Sequence, residues 1–151
     1  MDTELRELYQ QVILDHNKSP RNFRVIEHPS HSSEGYNPLC GDTIHLYLTI
    51  EDGIVKDISF QGSGCAISKA SASLMSSMIK GKTIEEAKKI FEKFQEMITG
   101  KLDENSDIES LGKLAVLSGV KEFPARVKCA SLAWHTLINA INEKKEAVTT
   151  E

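Results

Sequence analysis

Three thiols are the first residues in this chain whose chemistry stands out, and none belongs to a C-x-x-C pair. Cys40 lies in the turn Asn37-Pro38-Leu39-Cys40-Gly41-Asp42, just ahead of a strand. Cys65 closes Gly62-Ser63-Gly64-Cys65, between the end of a strand and the start of a helix. Cys129 follows Pro124-Ala125-Arg126-Val127-Lys128, near the start of the last helix. Thiols at element ends sit where function concentrates, whereas an inert cysteine is more often buried mid-element. Asp42, two residues after Cys40, can add a carboxylate. Three sulfurs and one oxygen would suit tetrahedral zinc or an iron–sulfur cluster. Electrostatics is expected to favour thiolate at all three. The helix dipole acts on Cys65, and the cations Arg126 and Lys128 act on Cys129 if they face the same pocket. The residues alone leave a second reading open, in which Cys129 is a small core residue, Asp42 caps a turn, and the three cysteines are unrelated.

The histidines lack ligand spacing. His16 is expected to complement the dipole at the end of the first helix, His28 and His31 to face solvent, and His45 to point outward from its strand. His135 falls opposite the apolar stripe of its helix, while Trp134, Met75 and Met78 occupy core positions. The chain has no phosphate-binding glycine loop, no nucleophile elbow and no paired-carboxylate motif.

The elements that must position these groups follow from periodicity. Leu5, Leu8, Tyr9, Val12 and Ile13 form one stripe of a first helix, capped by Asp2 or Thr3 and ending before Pro20. The irregular stretch 17–38 has room for one short edge strand. Ile44, Leu46, Leu48 and Ile50 alternate with polar residues as a half-buried strand, Asp52-Gly53 is a hairpin turn, and a second strand returns over 54–61. From Cys65 onward the pattern is helical. One helix ends near Gly81, and the capping box Thr83-x-x-Glu86 opens another that Gly100 closes. A short helix capped by Asp107 follows, with Gly119 as its left-handed end, and Pro124 starts the last helix. Strands followed by a run of helices predict an α+β fold, with helices on one face of a small antiparallel sheet of about three strands. Residues 1–151 read as a single domain with 143–151 as a frayed tail.

Composition narrows the function classes. The 151 residues are 40% hydrophobic and 26% charged, with 18 Lys and Arg against 22 Asp and Glu, for a net charge of −4. That balance argues against nucleic-acid binding, which needs concentrated positive charge. The acidic opening Met1-Asp2-Thr3-Glu4 is unlike a secretory signal, and the uncharged interval between Lys128 and Glu143 is too short and too polar to span a bilayer. The expected setting is cytosolic. An odd number of cysteines there favours metal binding or reactivity over a disulfide framework.

The three cysteine segments, Asn37-Pro38-x-Cys40-Gly41-Asp42, Gly62-x-Gly64-Cys65-Ala66-Ile67-Ser68 and Phe123-Pro124-Ala125-Arg126-x-Lys128-Cys129, resemble the IscU/NifU superfamily of iron–sulfur assembly proteins. Asp15-His16-x-Lys18-x-Pro20-Arg21-Asn22 is similar to that family's opening segment. The likeness is to the SufU branch. Scaffold-type members place a histidine immediately before the third cysteine, where this chain has Lys128, and the region from Lys101 to Gly119 looks like the SufU insertion. The resemblance implies zinc held by Cys40, Asp42, Cys65 and Cys129, and sulfurtransferase-type activity. Cys40 would accept persulfide sulfur from a PLP-dependent cysteine desulfurase of the SufS type, whose histidine replaces it on the metal, and would pass the sulfur to downstream iron–sulfur assembly proteins. Arg126 and Lys128 would then serve charge balance or docking. The alternative that the same likeness implies is a scaffold holding iron or a [2Fe–2S] cluster on Cys40, Cys65 and Cys129.

Overall fold

The computed structural model describes residues 3–101, 108–144 and 146–149. Helix α1 spans Thr3–Lys18, followed by strands β1 (His31–Asn37), β2 (Asp42–Glu51) and β3 (Ile54–Ser63). Helices α2 (Ala66–Ile79) and α3 (Ile84–Ile98) come next, then a 3-10 stretch over Ile108–Glu122, helix α4 (Pro124–Ile141) and a short strand β4 (Val148–Thr149). The expected α+β architecture is present.

The sheet is mixed and four-stranded, in the order β3-β2-β1-β4. The first three strands form the expected antiparallel meander, with Asn37 opposite Asp42 at one end and a tight turn at Asp52 and Gly53, both at positive φ. Period-two burial puts Ile44, Leu46, Leu48, Val55, Ile58 and Phe60 on the inner face. Helices α2 and α4 cover that face, so the core is closed by Leu132, Trp134 and Leu137 from α4 and by Leu74 and Met75 from α2. Phe94 of α3 stacks on Trp134 at 4.6 Å between ring centroids. The capping box of α3 is complete, with Glu86 N–H donating to Thr83 Oγ1 at 3.1 Å and Thr83 N–H to Glu86 Oε1 at 3.3 Å.

Several expectations are corrected. The sheet has a fourth strand, inside the segment expected to fray. Val148 and Thr149 pair in parallel with Gly35 and Tyr36, which makes β1 an inner strand rather than an edge. Asn139 Nδ2 secures this return by donating to the carbonyls of Glu146 and Lys144 and to Ser33 Oγ. Two residues carry no periodicity, so such a strand has no signature of its own. Leu8 is exposed although it belongs to the expected stripe of α1, and Tyr9, Val12 and Ile13 make the contact with the core. Asp2 and Asp107, the expected caps, lie outside the described residues.

The expected short helix before α4 is instead the 3-10 stretch. Leu111, Leu114, Leu117 and Val120 are all buried, and their spacing of three matches the three residues per turn of that helix. The left-handed residue there is Gly112 (φ 53°), not Gly119, because the chain kinks in mid-stretch rather than at its end. No helix among the described residues is long and apolar enough to cross a membrane.

Histidine environments also differ from expectation. His16 does not cap α1 as a cation. It is buried, its Nδ1 lies 2.7 Å from Ser73 Oγ, and burial, with Arg21 nearby, pushes its pKa below the ordinary value. The backbone of Arg21 and the side chain of Asn22 also bond to Ser73 and Ser76, so the segment after α1 is laced onto α2. His31 is largely covered and faces Glu143 at 3.3 Å, brought there by the returning tail. His135 is half-buried edge-on to Phe91, and burial lowers its pKa.

Candidate metal centre

The sheet end where β1 gives way to β2 gathers the cysteines. Asn37 and Asp42 face each other in the last register pair, and 38–41 loop outward between them, closed by Cys40 N–H donating to the Asn37 carbonyl at 3.3 Å. This raises Cys40 to an exposed position while Asp42 points inward, buried. β3 ends alongside β2, and Cys65 becomes the N-cap of α2, its sulfur accepting from Ser68 N–H at 3.4 Å. A cap's side chain is aimed back at the helix start, which directs the Cys65 thiol toward the sheet end. Pro124 starts α4, so Cys129 falls in its second turn, on the buried side.

The ligand atoms of Cys40, Asp42 and Cys129 lie within 4.8 Å of one another. Cys129 Sγ and Cys40 Sγ are 3.4 Å apart. Four sulfurs at ordinary zinc distance would stand about 3.8 Å from one another, so this spacing suits a tetrahedral ion. Cys65 is not within the 4.8 Å group, but its thiol is near enough to help push that of Cys129 up, and its backbone N–H donates to Asp42 Oδ1 at 2.8 Å. Gly64 makes that last bond possible. A Cβ there would collide with Asp42 Oδ1 and come within 3.0 Å of Asp42 Cα, and the residue sits at φ 153°. The soft and hard donors present fit a borderline cation such as zinc.

The expected preference for thiolate fails at Cys129. Burial pushes its thiol up first, and Asp42, Cys40 and Cys65 push it further in the same direction. Without a cation the site is a cluster of acceptors in which a negative charge is unwelcome. A divalent ion reverses that balance, because coordination deprotonates a thiol outright. Arg126 and Lys128 have other neighbours in the structure. Arg126 is exposed and stacks on the Phe123 ring at 4.4 Å, while Lys128 turns into a cleft along α4 with Ser131, His135 and Asn142.

Asn37, which opens the Cys40 motif, carries no functional signal in the sequence. It is fully buried, and its Nδ2 donates to Asp42 Oδ2 at 3.0 Å and to Cys129 Sγ at 3.4 Å. The inward turn of Ser33, Gly35 and Asn37 along β1 was the available signal, hidden because serine and glycine do not mark a buried face.

Residues 8–143 match the family model for the NifU-like N terminal domain. The chain belongs to this family. A zinc-dependent sulfurtransferase, SufU of Bacillus subtilis, is 44% identical to this NifU-like chain over 144 residues, covering 95% of the chain and 96% of the relative. The iron–sulfur cluster assembly scaffold protein IscU of Thermotoga maritima is 43% identical over 136 residues, covering 90% and 94%. Among solved structures, a candidate iron–sulfur cluster assembly scaffold protein for the SUF system from Fervidobacterium islandicum superposes with a TM-score of 0.83 at 36% identity, covering 90% of this NifU-like chain and 98% of that one.

Proposed function

We propose that this protein is a zinc-dependent sulfur relay in iron–sulfur cluster biogenesis. Cys40, Asp42, Cys65 and Cys129 would hold the ion, and Cys40 would receive sulfur from a PLP-dependent cysteine desulfurase of the SufS type. The observation that carries this reading is the unequal exposure of the thiols. Cys129 is buried and Cys65 half-buried, while Cys40 stands exposed on a turn with Leu39 beside it, 64% exposed. Only Cys40 can meet a partner's persulfide without rearranging the core. Lys128 before Cys129, where scaffold-type relatives of the family carry histidine, supports the relay over cluster assembly.

Bound zinc would supply charge that keeps the thiols deprotonated without redox chemistry of its own. The transfer itself is thiol exchange. The Cys40 thiolate attacks the outer sulfur of the desulfurase persulfide, the sulfur–sulfur bond breaks, and the desulfurase cysteine leaves as thiolate. One sulfur atom moves and no net oxidation occurs. The exposed Leu39 and Phe123 give a partner apolar footing beside the turn. The three thiols are free, which suits a reducing, cytosolic setting.

The test is turnover of a SufS-type desulfurase with and without the purified protein. Stimulation is expected, with about one zinc per chain, and Cys40→Ala is expected to abolish it while leaving the fold intact. Stimulation that survives Cys40→Ala would remove Cys40 as acceptor. The likeness to the Thermotoga maritima IscU supports a second reading, a scaffold for a [2Fe–2S] cluster. Anaerobic reconstitution with iron and sulfide, yielding a stable brown species that transfers to an apo-ferredoxin, would promote that reading over the relay.

A further inference from the structure

We propose that Asn37 is a positioning residue of the metal centre, holding Asp42 and Cys129 as fixed ligands and leaving Cys40 as the sulfur free to move. The inference rests on the metal-binding reading above and deepens it.

The geometry is one-sided. The Asn37 amide uses both of its N–H bonds on prospective ligands, at 3.0 Å to Asp42 Oδ2 and 3.4 Å to Cys129 Sγ. Turned over, the amide would aim its oxygen at the Asp42 carboxylate, which only accepts, so that neighbour sets the orientation. Its Oδ1, buried, has no hydrogen-bond partner among the described residues. An apolar residue of the same size would fill the space without leaving an acceptor unmade. What the asparagine adds is its donor pair.

The remaining ligand contacts follow the same division. Asp42 Oδ1 is held by Cys65 N–H, and Cys65 Sγ by Ser68 N–H. Among the described residues, Cys40 Sγ meets the sulfur of Cys129 and no amide donor. Three ligands are thus tied by N–H bonds, which stabilise the anionic form that a metal requires, and the fourth, Cys40, receives none among the described residues.

Asn37→Leu is nearly isosteric and removes both donors. Wild-type protein and variant are stripped of metal and titrated with cobalt(II), following the sulfur-to-metal charge-transfer band. Zinc affinity is then measured against a chromophoric chelator, and the metal-free proteins are melted. We expect Asn37→Leu to fold, to bind zinc 10–100-fold more weakly, as losses of such supporting bonds do, and to shift the cobalt charge-transfer band. Lower stability of the metal-free variant with unchanged zinc affinity and an unchanged cobalt spectrum would make Asn37 structural and overturn the inference. Should Asn37→Leu fail to fold, Asn37→Ser, whose hydroxyl is too short to reach either ligand, carries the same comparison. A wild-type protein that binds neither metal would instead strike the metal-binding reading itself.

Discussion

Substituting Gly64 by alanine tests whether the site is built by steric permission at one backbone atom. The new methyl group meets Asp42 Oδ1 and Asp42 Cα, both in a buried, crowded corner. Forcing a side chain into that backbone region costs on the order of 1–3 kcal/mol. Displacing the Asp42 carboxylate also breaks its bond from Cys65 N–H, a charged acceptor at 2.8 Å, for about 1.5–3 kcal/mol more. The expected loss of metal-free stability is therefore about 2.5–6 kcal/mol, or roughly 5–24 °C in melting temperature for a domain of this size. Two other glycines calibrate the result. Gly81 has φ 88° with nothing within 4 Å, so Gly81→Ala isolates the dihedral cost, about 1–2 kcal/mol. Gly119 is open and carries no positive φ, so Gly119→Ala should be neutral or slightly stabilising. Differential scanning calorimetry of the three metal-free variants, paired with zinc competition, is the assay. If Gly64→Ala melted with Gly81→Ala and kept wild-type zinc affinity, the claim that Gly64 makes room for Asp42 would be refuted.

Other expectations concern groups away from the thiols. Because His16 has a lowered pKa when folded, the unfolded chain binds the extra proton more readily. Its contribution is thus intact above the ordinary histidine pKa near 6.5 and declines as pH falls below it. Urea midpoints at pH 7.5 and 5.5 should differ less for His16→Gln than for the wild type, after allowance for the half-buried His135, whose pKa is also lowered. An equal slope in both proteins would remove His16 from the account. Trp134→Ala, which empties a fully buried site and unstacks Phe94, should cost about 3–5 kcal/mol by denaturant titration. A loss under about 1 kcal/mol would mean that the core does not depend on that stack.

Much of the frame was legible because local physics dictates it. The alternation from Ile44 to Ile50 made β2, Asp52-Gly53 made its turn, Thr83 and Glu86 closed a capping box, and Pro124 opened α4. Each of these signals rests on interactions within a few residues. The three cysteine segments were equally visible as segments. Their motifs carried the family likeness that the family match bears out.

What the chain could not announce was how distant side chains meet. Asn37 and Cys129 are 92 residues apart, and only the packing of α4 against β1 makes them hydrogen-bond. The same packing buries Cys129, whose thiol is thereby pushed up rather than down, while Arg126 stacks on Phe123 and Lys128 lines a cleft along α4. His16, expected to complement the dipole of α1, is instead a buried partner of Ser73 for a like reason, and β4 exists because β1 offers an edge for it to pair with. Amino-acid order sets backbone periodicity, turn chemistry and the inventory of reactive groups. Desolvation, orientation and which charges face one another depend on neighbours supplied from elsewhere in the chain, and the folded packing alone decides them.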